Sequence, residues 1–179
     1  MTRQYFRDVL SEPLSAVSTT ITATSETVLI PTLLTPIPAF EPKAGKVYHL
    51  VVGGTVTTGT AGTLIITPRL GTTISGTSLG VSPTQNYVPS ITTAPFRFEY
   101  YLVFRSIGMP GANSKAVGYG VWESGGAVAT AGSETSVHCG TVGADISVDT
   151  SIANALWIGV TFSVAPSVIP IWHVWESLN

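Results

Sequence analysis

The sequence predicts an all-β fold, an antiparallel β-sandwich of jelly-roll character preceded by a short N-terminal arm. Three observations carry that expectation. The stretch from Phe96 to Arg105 alternates with a period of two, placing Phe96, Phe98, Tyr100, Leu102 and Phe104 on one face and Arg97, Glu99, Tyr101, Val103 and Arg105 on the other. Thr, Ser, Gly, Val and Ile dominate the chain, a composition of β-branched runs broken by turn residues. Some eight to ten short strand candidates follow one another with no helical periodicity between them, which points to a sandwich or barrel.

Taken in order, residues 1–17 stand apart, because Arg3, Arg7, Asp8 and Glu12 concentrate charge there while Tyr5, Phe6, Val9 and Leu10 supply apolar anchors. Pro13 stops any helix, so a short helical turn or an extended docking arm outside the sandwich is expected. The single sandwich domain is expected over 18–179. Its first strand candidates are Thr19–Ala23 and Glu26–Ile30, and Pro31, Pro36, Pro38 and Pro42 then suggest a rim crossing or an edge. Lys46–Val52 reads as a strand closed by Gly53-Gly54, and Thr63–Thr67 as another, with Pro68 marking an edge or bulge. Residues 72–95 are loop-rich, with short candidates at Thr77–Leu79 and Ser90–Thr92.

After the aromatic strand, Ala116–Glu123 alternates glycines with larger residues, so one face lacks bulk and something must approach it closely. Thr135–Cys139 and Asp145–Val148 are shorter candidates. Ala155–Val164 puts Leu156, Ile158, Val160, Phe162 and Val164 on one face, and Ile171–Leu178 forms the last strand.

The chain has 179 residues, enough for one domain with its own core. Only 10% of its residues are charged against ~25% in an ordinary soluble domain, while 44% are hydrophobic. So weakly charged a surface is expected to be covered by copies of the chain or by a larger assembly. A formal charge of −2 without a basic run argues against nucleic acid as a partner, and no apolar run is long enough for a membrane helix. No secretory signal is visible at the start of the sequence. Cys139 is the only cysteine, which excludes an internal disulfide and a thiolate zinc cluster and suits a reducing compartment.

A search for chemistry finds no catalytic, cofactor or metal signature. His49, His138 and His173 lack metal-ligand spacing, and His138 and Cys139, as strand neighbours, point to opposite faces. Glu99 and Glu123 could flank a glycosidic bond if their strands were adjacent. The glycine-rich stretches carry no Lys-Ser/Thr and open no helix, so they are not phosphate loops. Among Trp122, Trp157, Trp172 and Trp175, the last two fall on opposite faces of one strand, so at least one should lie outside the core. The charged side of the aromatic strand is either a solvated face with a weak Arg97/Glu99 pair or a surface that looks onto another subunit. On the second reading Arg97, Glu99, Tyr101, Arg105 and Trp175 are the candidate interface residues.

Three ordered segments resemble small virion proteins of tailed bacteriophages: Ile21–Pro31 with Pro38 and Gly45-Lys46-Val47 behind it, Gly62–Thr72, and Val148–Leu156 followed by a strand and Glu176–Asn179. The likeness runs from about Ser18 to Asn179, and departs from the pattern at Pro68 and in the Pro83–Pro95 loop. It implies a non-enzymatic jelly-roll capsid decoration or head-fibre subunit, commonly a homotrimer, on the capsid surface of a virion assembled in the bacterial host cytoplasm. The partners so implied are copies of itself and the major capsid protein, with no cofactor, nucleic acid or membrane. Arg3, Tyr5, Phe6 and Arg7 would then tie the trimer to the shell. The alternative is a receptor- or glycan-binding module of a fibre, using loops 72–95 and 124–134 and an exposed tryptophan.

Overall fold

The computed structural model describes residues 7–11, 20–30, 35–87, 89–111, 113–124, 136–141 and 144–178. Among them there are only strands: β1 (Arg7–Ser11), β2 (Thr27–Val28), β3 (Pro36–Ile37), β4 (Val47–Thr58), β5 (Gly62–Gly71), β6 (Thr77–Ser78), β7 (Gln85–Tyr87), β8 (Ile91–Ser106), β9 (Ser114–Ser124), β10 (Ser136–Gly140), β11 (Ile146–Val148), β12 (Asn154–Phe162) and β13 (Ser167–Leu178). They form two antiparallel sheets packed face to face, the sandwich the sequence predicts. The larger sheet runs β1-β13-β4-β8-β9-β10, with β11 also on β9. The smaller runs β2-β12-β5-β6, with β3 also on β12 and β7 on β5.

The aromatic strand is the spine of the core. Phe98, Tyr100, Leu102 and Phe104 are fully buried and Phe96 nearly so, each contributing about 1.5–3 kcal/mol of burial. Facing them from the smaller sheet are Leu156, Ile158, Val160 and Phe162 of β12 with Leu64, Ile66 and Leu70 of β5. The close approach expected over the β9 glycines is made by Tyr100. A Cβ on Gly118 would overlap the Tyr100 hydroxyl, and one on Gly120 would come within 2.6 Å of the Glu99 carbonyl oxygen as well as into the Tyr100 ring.

The candidate strand Thr19–Ala23 is reduced, over its described residues, to a single bridge from Ile21 to Val168, and three further departures from the sequence reading in the fold have a clear physical cause. Gly53-Gly54 does not end its strand. β4 continues through both to Thr58, because the pair exists for close packing: a Cβ on Gly53 would fall inside the Trp172 indole, and one on Gly54 would meet Phe96 and the β13 backbone. Pro68 does not interrupt β5 either. It pairs with Ile158 on one side, and on the other it sits between the short β6 and β7, where its missing N–H faces no strand. Residues 1–17 were expected to stand clear of the sandwich, yet Arg7–Ser11 pairs with the C-terminal half of β13, from Arg7 opposite Leu178 to Ser11 opposite Trp175. Without β1 that half of β13 would be an open edge with unpaired backbone groups. Arg3, Tyr5 and Phe6 lie outside the described residues, as does most of the 124–134 loop.

Candidate subunit-facing surface

The outer face of the larger sheet is built by register. Reading across β13, β4, β8, β9 and β10, one rung is Trp172, Gly53, Arg97, Glu123 and Ser136. The next is Val174, Val51, Glu99, Val121 and His138, and the third is Glu176, His49, Tyr101, Tyr119 and Gly140. A fourth, Leu178, Val47, Val103 and Val117, closes the patch. An ordinary solvated sheet face alternates polar residues outward. Here valines, tyrosines and a tryptophan dominate, with Trp172 at 39%, Tyr101 at 37% and Tyr119 at 53% exposure.

The few charges on this face are spent on one another. Glu99 is the hub. Its Oε1 accepts from the Tyr101 hydroxyl at 2.7 Å and lies 2.8 Å from His49 Nε2, while its Oε2 is 2.5 Å from Arg97 Nη2. Burial pushes the Glu99 carboxyl up, but the hydrogen bonds from Tyr101 and His49 and the Arg97 charge outweigh it, holding the group below the usual carboxylate range. On the other side of the ring, His49 Nδ1 lies 2.6 Å from Oε1 of Glu176, which is 3% exposed. The His49 and Tyr101 rings stack at 4.3 Å. Tyr119 is hydrogen-bonded to His138 Nδ1 one strand further on. Together they form an apolar face crossed by a hydrogen-bonded polar seam.

Of the residues the sequence nominated, Arg97, Glu99 and Tyr101 come together here. Arg105 shares the face but turns to Asp145, at 2.8 Å from its Oδ1. Trp175 does not belong to it. The β-bulge between Pro170 and Trp172 turns both Ile171 and Trp172 outward, so that Trp175, three residues on, faces in. It is fully buried, stacked on Tyr48 with ring centroids 5.3 Å apart, and its Nε1 donates to the Pro36 carbonyl at 3.1 Å. Trp172 is the exposed member of the pair. Sequence reasoning missed His49, Glu176, Tyr119, Val121 and His138 as parts of this surface. Period-two alternation gives each strand two faces, but only the cross-strand register says which residues meet.

The other candidates for chemistry resolve in the same frame. Strands β8 and β9 are adjacent, as a Glu99/Glu123 acid–base pair would need. Arg97 stands between the two, however, at 4.0 Å from Glu123 Oε2, and Glu99 is held in the direction opposite to a general acid. His173 faces the core, buried, while His49 and His138 face outward, so the three histidines do not converge. Cys139 is buried with its thiol pushed up to about 12 by burial, on the face opposite to exposed His138. Among the described residues no group of three or more His, Cys, Asp or Glu side chains could hold a metal ion. Trp122 is buried against Phe96, and Trp157 is half-buried, donating to the Gly71 carbonyl. Compared with known proteins, the chain matches no family model, no curated protein and no solved structure at a significant level.

Proposed function

We propose that the chain is a non-enzymatic structural subunit of a bacteriophage virion, a capsid decoration protein that assembles with copies of itself through the outer face of its larger sheet. The observation that carries the assembly reading is that face: apolar rungs around polar side chains that are hydrogen-bonded to one another within one chain. Strands about 4.8 Å apart and rungs about 6.7 Å apart give a patch of roughly 600 Å², close to the roughly 800 Å² that each partner contributes to a standard stable interface. Glu99 and Glu176 already take hydrogen bonds within their own chain, whereas Arg97, half-exposed, would lose water on being covered, a cost the surrounding apolar area must offset. The decoration role and the homotrimer rest on the resemblance of the ordered segments to virion proteins. The partner surface would be the major capsid shell, with Arg3, Tyr5, Phe6 and Arg7 as the attachment residues. Many such subunits on one particle would gain from multivalency.

A second reading has one observation in its favour. Tyr101 and Tyr119 flank a hollow of about 170 Å³ over Gly120 and Val121, with Glu99 at its rim, a setting in which a sugar ring could stack and hydrogen-bond. Cryo-electron microscopy of particles carrying this chain separates the two. Density at regular icosahedral positions on the shell supports decoration. Density only at a tail tip or fibre overturns it, and saturable glycan binding lost in Tyr119→Ala then establishes the second reading.

A further inference from the structure

We infer that the chain stands on the capsid shell by one end of its sandwich, where Phe40, Ile107 and Met109 form an apolar tip around a hollow that receives an apolar side chain of the shell protein. The inference rests on the decoration reading and supplies the contact through which decoration is made.

Strand register brings three connections to that end. Leu178, Val47, Val103 and Val117 share the last rung of the larger sheet. Beyond it lie the connections from β3 to β4, from β8 to β9 and from β11 to β12. Hydrogen bonds lace them together. The Phe40 N–H donates to the Thr150 carbonyl at 2.8 Å, and Thr150 Oγ1 lies 2.9 Å from Ser114 Oγ. That serine accepts from the Gly108 N–H at 3.1 Å, while Asn113 Nδ2 donates to the Met109 and Pro110 carbonyls, both at 3.2 Å.

This tied framework presents apolar groups to the outside. Met109 and Phe40, at 81% and 74% exposure, are the most exposed large apolar side chains among the described residues. Phe40 is also strained, with φ at +60° in the left-handed region that bulky side chains avoid. Its exposed ring gains little burial within the chain to offset that strain, and strain of this kind gathers at binding sites. Phe40, Pro42, Ile107 and Pro110 wall a hollow of about 150 Å³, with Thr150 and Ser151 completing it. A space of that size takes one benzene-sized group. Knob and hollow are already held in place, so little freedom is lost on docking.

The N-terminal segment says which surface the tip meets. Arg7 opens β1 opposite Leu178, so residues 1–6, with Arg3, Tyr5 and Phe6, join the sandwich at this same end. The opposite end differs in kind. Its described connections expose Gly59, Thr60, Ala61, Ser90 and Ser163, and none of the large exposed apolar side chains. The outer face of the larger sheet stays open to neighbouring copies, because it runs along the strands and the tip lies at their ends.

The test is maleimide labelling of the full chain, free and bound to bacteriophage particles, with one thiol placed at either end. Cys139, the native thiol, is buried, so Met109→Cys and Thr60→Cys each report their own position. On particles Met109→Cys is expected to lose most of its reactivity and Thr60→Cys to keep it. A second variant separates docking from folding. Phe40→Gly suits the positive φ, so the fold should be as stable as before, yet its affinity for particles lacking the chain, read by co-sedimentation, should fall about tenfold or more. Met109→Cys that reacts equally on and off particles, or Phe40→Gly that binds as the wild type does, overturns the inference and leaves decoration intact. A wild type that never sediments with particles overturns the decoration reading and the inference with it. Protection of Met109→Cys already in the free subunit also overturns it, because a second copy or the chain's own first residues then cover the tip.

Discussion

Replacing Gly118 by alanine tests whether the aromatic strand and the glycine-bearing strand were fitted to one another. The new Cβ would overlap the Tyr100 hydroxyl and stand 2.6 Å from Cζ of the same ring. Tyr100 is fully buried between the sheets, so its ring has little room to yield. Overpacking of this kind costs about 1–3 kcal/mol, offset by ~0.4–1 kcal/mol from the less flexible unfolded chain. The net expectation is a loss of roughly 1–2 kcal/mol. The same structure says how to relieve it. The Tyr100 hydroxyl finds no hydrogen-bond partner among the described residues, and burial pushes its pKa well up. Tyr100→Phe therefore removes a buried, unsatisfied polar group as well as the atom nearest the new methyl. Alone it should be neutral or slightly stabilising, since leaving such a group buried costs about 1–3 kcal/mol. Combined with Gly118→Ala it should recover about 1 kcal/mol of the damage. The assay is urea denaturation of the four proteins at one protein concentration, read as a double-mutant cycle. Additivity within ~0.5 kcal/mol, the behaviour of independent sites, would refute the claim that this glycine exists to seat this tyrosine.

Other consequences follow from the same packing. Trp175→Ala should lower stability by about 3–5 kcal/mol as a core truncation, whereas Trp172→Ala should change monomer stability by less than ~1 kcal/mol and act on association instead; paired thermal melts and sizing measurements check both. Cys139, pushed up to about 12 by burial, should resist a thiol reagent at neutral pH in the native protein and react at once in urea. Because its folded pKa is raised, the stability it contributes is complete below the unfolded thiol value of ~8.5 and should be lost as pH climbs from there toward about 12, a segment of the alkaline unfolding curve that Cys139→Ala should lack. Glu99 works in the opposite sense. Its depressed carboxyl contributes stability above the ordinary carboxylate range that is lost as pH falls through its own value, so the acid limb of a urea-midpoint profile should be shallower in Glu99→Gln.

What the sequence disclosed and what it hid have different physical origins. The two faces of β8 were legible from alternation alone, since a strand with one dry side must repeat every second residue. The bare face of β9 was legible too, although that Tyr100 fills it was not. The glycines at 53 and 54 misled because the same residue serves a turn and a close contact, and only the indole of Trp172 lying over Gly53 tells which. Trp175 misled for a related reason: the bulge that reorients β13 has no unambiguous sequence signature, and one inserted residue exchanges the faces of everything beyond it. Half of the outer patch was invisible because His49, Glu99 and Glu176 come from three strands far apart in the chain, and nothing local predicts that they share an imidazole.

The account turns on whether copies of the chain meet on the outer face of the larger sheet, and one measurement addresses this directly: light scattering on the eluting wild type and on Val121→Arg, at equal concentration. Val121 is half-buried in the middle of the second rung, between Glu99 and His138, so an arginine there leaves the core untouched and places a bulky cation in the apolar patch. The account expects an oligomeric wild type, with the mass of three chains if the trimer holds, and a folded, monomeric variant. A wild type with the mass of one chain, or a variant that assembles as the wild type does, would contradict it.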